Sequence, residues 1–466
     1  MRKPLIGIPM GDPAGIGAEI IAKALKEKKI RAFADCVVYG ESWIMEEAVR
    51  ITKAGLKIEE IMRPEQAKNG KPDRIYLLDQ YGRTSLSKAK LKRGQINGEC
   101  GKAAYKYIEI CTKDALAGRI DAMATAPVNK ESFREGGVPY IGHTEILSGL
   151  TKVKDPLTMF EVRNMRVFFL SRHVSLRQAC DMVKKDRIVD YVKRCSEALL
   201  QLGIRNPRIA IAGLNPHGGE HGLFGDEEDK EIRPAVSELV SEGCLVEGPV
   251  GADSVFHLAL EGCYDAVLSL YHDQGHIATK TLDFYRTIAL TLGLPFLRTS
   301  VDHGTAMDIA GKGTASSISM EEAIRLAAKY VWAGWMEHRM EDAKEELQEV
   351  ENLSRMDASG KTKEKIMEEE TKSVRQLPEA TSEDSEEEVE ETEKTGSTEN
   401  TESRGDKPVV LYELIKLIKP KQEIAVFQGY PIKYIGKAKD CADPNLLNAT
   451  VKSLEDTNGN ITIYCI

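Results

Sequence analysis

IGIPM at residues 6–10, AEIIAKALKE at 18–27, CVVYG at 36–40 and SWIMEEAVRITKAG at 42–55 decide the fold. An apolar run, a helical period, a second apolar run and a second helical period give the βαβα order of a sheet with helices on its faces. The alternation continues to about residue 340. Apolar runs recur at DAMATA (121–126), RVFFLS (166–171), RIAIAG (208–213), DAVLSLY (265–271) and IALTLGLPFLRTS (288–300). Helical stretches such as RIVDYVKRCSEALLQLG (187–203) separate several of them. Residues 1–340 are therefore expected to form one α/β region with a largely parallel, doubly wound sheet. The pattern leaves open whether there is one sheet or two.

The composition changes after Met336. Residues 337–372 are rich in Glu and Lys, and MEDAKEELQEVENLSRM (340–356) fits a charged, solvated helix. Residues 373–407 lack the apolar content for a core and are expected to be a disordered acidic linker. Together these make a second segment, 341–407. A third segment, 408–466, is expected to be a small α+β domain with no assignable role. VVLYELIKLIKP (409–420) has the pattern of an amphipathic helix, and EIAVFQ (423–428), PIKYIGKAKD (431–440) and NITIYCI (460–466) are strand-like. DTNGN (456–460) is a hairpin signal.

Bulk properties narrow the function. The 466 residues are 42% hydrophobic, enough for two or three domains with cores. A formal net charge of −9 argues against a nucleic-acid-binding surface. No run of apolar residues is long enough to span a membrane, and the apolar N-terminal stretch is too short and glycine-broken for a signal peptide. Nine cysteines without a CxxC fit reduced thiols. The expectation is a soluble cytoplasmic protein with no nucleic-acid or membrane partner.

Three histidines follow apolar runs in polar turns: His173 in FFLSRHVSLRQ, His217 in IAIAGLNPHGGE and His272 in AVLSLYHDQGH. Each is expected at or just past the C-terminal end of a strand, the edge where α/β sheets bind ligands. Three imidazoles can hold a divalent metal and leave a position open for substrate. A satisfied loop histidine is the plain alternative for each. GDPAGIG (11–17) joins the first strand to the first helix, either as a structural turn or as an anion cradle. In VPYIGHTEILSGLT (138–151), Thr144 is expected as a helix N-cap; otherwise His143 and Thr144 bind substrate. Lys280 and Arg298 are cations suited to a phosphate or carboxylate. SVDHGTAMDIAGKGTAS (300–316) is similar to the loop that holds adenosine in isocitrate and isopropylmalate dehydrogenases.

Taken in order, GDPAGIG, TAPVNK, GHTE, RHVSL, LNPHGGE, YHDQGH and RTSVDHGTA resemble the 4-hydroxythreonine-4-phosphate dehydrogenase (PdxA) family over residues 1–335. The resemblance implies an isocitrate/isopropylmalate dehydrogenase-like fold of two α/β lobes, an outer one of about 1–130 plus 295–340 and an inner one of about 131–294. It places metal ligands on His173, His217 and His272, and substrate contacts on His143, Thr144, Lys280 and Arg298. It puts the cofactor NAD on Asp302, His303, Gly304, Thr305 and Ala306. It also implies a homodimer whose active site is shared, two histidines coming from one subunit and the third from its partner. The family's usual substrate-contacting Asn in the GVN-x-TLGLP stretch is Ala289 in this chain, where the sequence is TIALTLGLP.

RVFFLSRHVSLRQ and HGLFGDEE are closer to the subfamily acting on D-threonate or D-erythronate 4-phosphate. The expected reaction is NAD-dependent oxidation and decarboxylation of that acid to dihydroxyacetone phosphate, helped by a divalent ion (Zn, Mg, Mn or Co). Lys280 and His272 are the expected catalytic residues, with Lys280 the candidate proton donor. Three alternatives stand beside it: a 4-phosphohydroxy-L-threonine dehydrogenase of pyridoxal phosphate biosynthesis, a phosphotransacetylase-like acyl transferase, and a non-catalytic dimeric scaffold.

Overall fold

The computed structural model describes residues 2–80, 84 and 86–335, and five strands between Val409 and Cys465. These belong to two units, each taken by itself. The charged helix and acidic linker expected over 337–407 lie outside the described residues.

A twelve-stranded sheet organises residues 2–335. Its strands are β1 Leu5–Pro9, β2 Asp35–Gly40, β3 Lys57–Glu60, β4 Arg74–Asp79, β5 Ala122–Thr125 and β6 Leu157–Val162. They continue as β7 Met165–Phe169, β8 Ile209–Ala212, β9 Val246–Val250, β10 Ala266–Ser269, β11 Ile288–Leu292 and β12 Leu297–Val301. The spatial order is β3-β4-β2-β1-β5-β12-β11-β6-β7-β10-β8-β9. The α/β expectation holds, and the question of one sheet or two resolves to one.

Strands β1, β5, β8, β10 and β12 are buried at every residue. Helices cover both faces there, so the strands read as unbroken apolar runs. β3 (KIEE) and β9 (VEGPV) form the two edges and are only partly buried. Their charges, glycine and proline suit an edge and leave no apolar run to find. The runs named from sequence also omit β4 and β6.

IALTLGLPFLRTS is not one strand. The chain turns through Gly293, at φ +80°, and β11 and β12 pair antiparallel with Thr291 opposite Arg298. Gly293 supplies the left-handed conformation that the turn needs.

The joints β12–β11, β11–β6 and β6–β7 are antiparallel, and all other joints are parallel. Three reversals make β7, β10, β8 and β9 run opposite to β12, β5, β1, β2 and β4. The strand ends that carry loops in one half therefore lie at the opposite edge from those of the other half. A connecting element must cross the sheet face to join them. The helix His272–Leu282 does so, its 11 residues spanning about 16 Å.

In the second unit, β13 Val409–Val410, β14 Glu423–Gln428, β15 Tyr434–Lys437, β16 Thr450–Thr457 and β17 Asn460–Cys465 form a sheet in the order β13-β16-β17-β14-β15. Thr457 pairs with Asn460 across an antiparallel joint, as the DTNGN signal implies. Val409 and Val410 pair with β16 and do not begin a helix, in keeping with the strand preference of β-branched residues. The remainder of that expected helix lies outside the described residues. β16 (TVKSLEDT) has too few apolar residues to announce itself. No helix among the described residues is long and apolar enough to cross a membrane.

Candidate active site

β7, β10 and β8 are parallel neighbours, so the loops after Phe169, Ser269 and Ala212 open at one edge. Each carries one expected histidine. His173 precedes the helix Leu176–Asp181, whose start is fixed by a capping box between Ser175 and Gln178. His272 is the first residue of its helix. The structure brings these two rings to 5.9 Å between centroids. His217 does not join them. It lies in a turn where residues 217–221 all take positive φ, and its ring faces Phe224 at 6.4 Å. Buried Glu228 holds the base of that turn by accepting the Leu214 and Asn215 amides and the Asn215 side chain. Among the described residues, no three His, Cys, Asp or Glu side chains converge to hold a metal ion.

The donors that do converge suit a metal chemically. His272 Nδ1 lies 2.6 Å from Asp273 Oδ1, which orients the ring and leaves Nε2 available to a ligand. Burial, then neighbouring Arg172 and His272, lower the His173 pKa and favour the neutral ligand form.

Across the sheet face lies a buried cation. Arg298 on β12 is 4% exposed. Its Nε and Nη2 donate to Thr125 Oγ1 at 3.1 and 2.7 Å, and its Nη1 donates to Thr291 Oγ1 at 2.9 Å. Adjacent strands β5 and β11 supply the two hydroxyls. Burial pushes the guanidinium down to about 9, with Glu145 opposing the shift. His143 lies beside it, its Nε2 buried and without a hydrogen-bond partner. Burial and then Arg298 hold that imidazole well below its ordinary pKa. Gly142 is the N-cap of the helix His143–Thr151, with no side-chain cap bond. Thr144 is thus inside the first turn and is not the cap, because the extended backbone that a cap requires occurs two residues earlier.

Lys280, near the far end of the helix His272–Leu282, pairs with Asp302 at 2.7 Å. Burial raises the Asp302 pKa, and Lys280 counters it. The reach of charge links the groups in turn: Lys280 and His272 act on Asp302, His272 on His173, Glu145 on both His173 and Arg298, and Arg298 on His143. Each of these groups thus lies within electrostatic reach of the next.

The loop 302–306 is pinned by the GDPAGIG turn. Thr305 O accepts the Ile16 amide, and the Thr305 hydroxyl lies 3.4 Å from Asn129 Nδ2. A Cβ on Gly15 would stand 2.8 Å from Thr305 Cβ, so only glycine allows this approach. Asp12 holds the turn through the Ala14 amide. His303 is partly exposed, and Ala306 takes φ +42°.

Thr125, Thr291, Asp273 and Glu145 belong to the site but carry no individual signal in the sequence. His276 had one, since it stands four residues after His272 and thus on the same helix face. Burial first, then His272 and Lys280, lower its pKa to about 4.

Comparison with known proteins settles the family. Residues 32–327 match the profile described as Pyridoxal phosphate biosynthetic protein PdxA. The chain belongs to this family. It is 57% identical over 329 residues to a Clostridium botulinum protein named "Putative D-threonate 4-phosphate dehydrogenase", spanning 71% of this chain and 97% of that one. A Fusobacterium nucleatum protein of the same name is 58% identical over 325 residues, spanning 70% and 96%. A 4-hydroxythreonine-4-phosphate dehydrogenase structure from Burkholderia phymatum superposes with a TM-score of 0.64 at 39% identity, covering 71% of this chain and 99% of that one. This PdxA-family chain is a dehydrogenase acting on a CH–OH group, and that class implies a nicotinamide cofactor.

Proposed function

We propose that the chain is a cytoplasmic, NAD-dependent dehydrogenase that oxidises and decarboxylates D-threonate or D-erythronate 4-phosphate to dihydroxyacetone phosphate and carbon dioxide. The observation that carries this reading is Arg298, a buried guanidinium with hydroxyl partners only, beside an unpartnered His143 nitrogen. A buried cation of this kind is completed by an anion, and a sugar-acid phosphate brings two. The names of the relatives at 57–58% identity support the threonate substrate.

His173, His217 and His272 would hold a divalent metal in a homodimer, one of the three coming from the partner subunit. When bound, the metal supplies Lewis acidity at the C3 oxygen and the nicotinamide accepts hydride. Residues 302–306 would position the cofactor, on a loop already fixed against the first strand-to-helix turn. Arg298, His143 and Thr144 hold the substrate's anionic and hydroxyl groups. Lys280, oriented by Asp302, delivers a proton to C2 as the C1–C2 bond breaks and carbon dioxide leaves.

The test is NADH formation with D-threonate, D-erythronate and 4-hydroxy-L-threonine 4-phosphates. A chelator should abolish turnover and added metal restore it. Preference for the 2-amino acid would transfer the chain to the pyridoxal phosphate branch of the family. Turnover that survives exhaustive chelation would remove the metal from the proposal, as would normal turnover and metal binding in His217→Ala.

A further inference from the structure

His276 lies one helical turn beyond His272. Its ring stacks on His272 at 4.1 Å between centroids and packs against Phe160 at 4.4 Å and Phe169 at 4.7 Å. Three aromatic neighbours hold the imidazole in one orientation. Its Nδ1 is buried without a hydrogen-bond partner. With His272, Lys280 and Phe284, the ring lines a cavity of about 470 Å³. A buried polar atom left unpaired by the protein, on a ring that lines a cavity, is what a ligand hydroxyl completes.

The neighbouring strand supplies no competing polar group. Ala289 on β11 pairs across to Phe160 and stands two residues before Thr291, on the same strand face as the hydroxyl that meets Arg298. A methyl group at that place cannot hydrogen-bond. As an N–H donor, the His276 ring nitrogen can donate to a hydroxyl oxygen but not to an ammonium group, which has no lone pair.

We propose that His276 is a specificity-determining residue whose ring nitrogen hydrogen-bonds the C2 hydroxyl of the substrate, selecting a 2-hydroxy acid 4-phosphate over the 2-amino acid of equal length. The inference rests on the reading above, in which C3 is presented beside His272. C2 is then the atom brought against the next ring along the helix.

The experiment compares kcat/KM for D-threonate 4-phosphate and 4-phosphohydroxy-L-threonine in the full chain, His276→Leu and His276→Gln, with thermal melts of each. The unaltered enzyme should prefer the hydroxy acid. His276→Leu should lower the preference by about tenfold, the scale of one hydrogen bond, mainly by slowing the hydroxy acid. His276→Gln, which keeps a polar group there, should recover part of it. An equal loss on both substrates, or an unmoved ratio, in whichever variant melts like the parent overturns the role of His276 alone. A parent enzyme that prefers the amino acid overturns the functional reading and this inference with it.

Discussion

Two buried clusters of charge in this protein are built on opposite principles. Glu161 on β6 is fully buried, and Lys329 donates to it at 2.8 Å. The Tyr330 hydroxyl donates to its other oxygen, and Arg166 donates to Tyr330 at 2.9 Å. Lys329 and Arg166 share the one carboxylate, which therefore lacks no cation, and the cluster ties the β6–β7 hairpin to the helix Ile318–Tyr330. Arg298 is nearly as buried, yet its side-chain hydrogen bonds go only to hydroxyls, Glu145 acts on it without a hydrogen bond, and the unpartnered Nε2 of His143 lies beside it. The first cluster is closed and holds the fold. The second has no carboxylate bonded to its guanidinium, and in the proposed function a substrate anion completes it. A buried charge thus marks function when its environment stops short of neutralising it.

The comparison breaks most readily at Arg298. Arg298→Met should lower kcat/KM about a thousandfold, the scale of a lost buried charge contact of about 4 kcal/mol. Unfolding stability should hold or rise, since an unpaired buried guanidinium is replaced by an apolar chain. A stability loss with unchanged kinetics would reverse the two assignments. Glu161→Gln should do the opposite, costing about 3 kcal/mol in denaturant unfolding while leaving KM near that of the parent.

The same variant sharpens the contrast through pH. Burial alone would raise the Glu161 pKa, but Lys329 and Arg166 outweigh it and hold the group below 4.5. A carboxyl depressed in the folded state stabilises above its unfolded value and loses that contribution as pH falls through the folded one. The stability difference between parent and Glu161→Gln should therefore shrink below pH 4.5. A difference that stays constant into stronger acid would remove the ion pair from the account.

A smaller effect is expected from Thr291→Val, which leaves Arg298 its charge but removes one of its hydroxyl partners. KM should rise about fivefold, equivalent to about 1 kcal/mol, with kcat little changed. Smallest of all is deletion of residues 341–466, which should leave kcat/KM within about twofold. Relatives 57% identical to this chain have 97% of their length matched by 329 of its residues, so they carry no counterpart of that segment. A large loss on deletion would show instead that catalysis depends on the appendage.

Much of the fold was legible because strands covered on both faces must be apolar throughout. β1, β2, β5, β7, β8 and β10 announce themselves for that reason. Edge strands β3 and β9 did not, since exposure lets them be polar. The β11–β12 hairpin hid inside one apolar run, because both of its strands are buried and its turn holds a leucine, a proline and a phenylalanine. At the site, the histidine loops and Arg298 could be named from the chain, but Thr125 and Thr291 could not. A threonine in a strand is ordinary until a guanidinium from the next strand points at it.

By itself, the sequence determined the α/β class, the family and the residue types that do chemistry, because motif order and apolar periodicity are local properties. The tertiary structure decided that the sheet reverses direction at its middle. It also decided that Lys280 reaches Asp302 and that Arg298 is buried among hydroxyls rather than carboxylates. Those facts depend on which strands become neighbours, and pairing between residues more than a hundred positions apart is set by packing of the whole core, which no local pattern encodes.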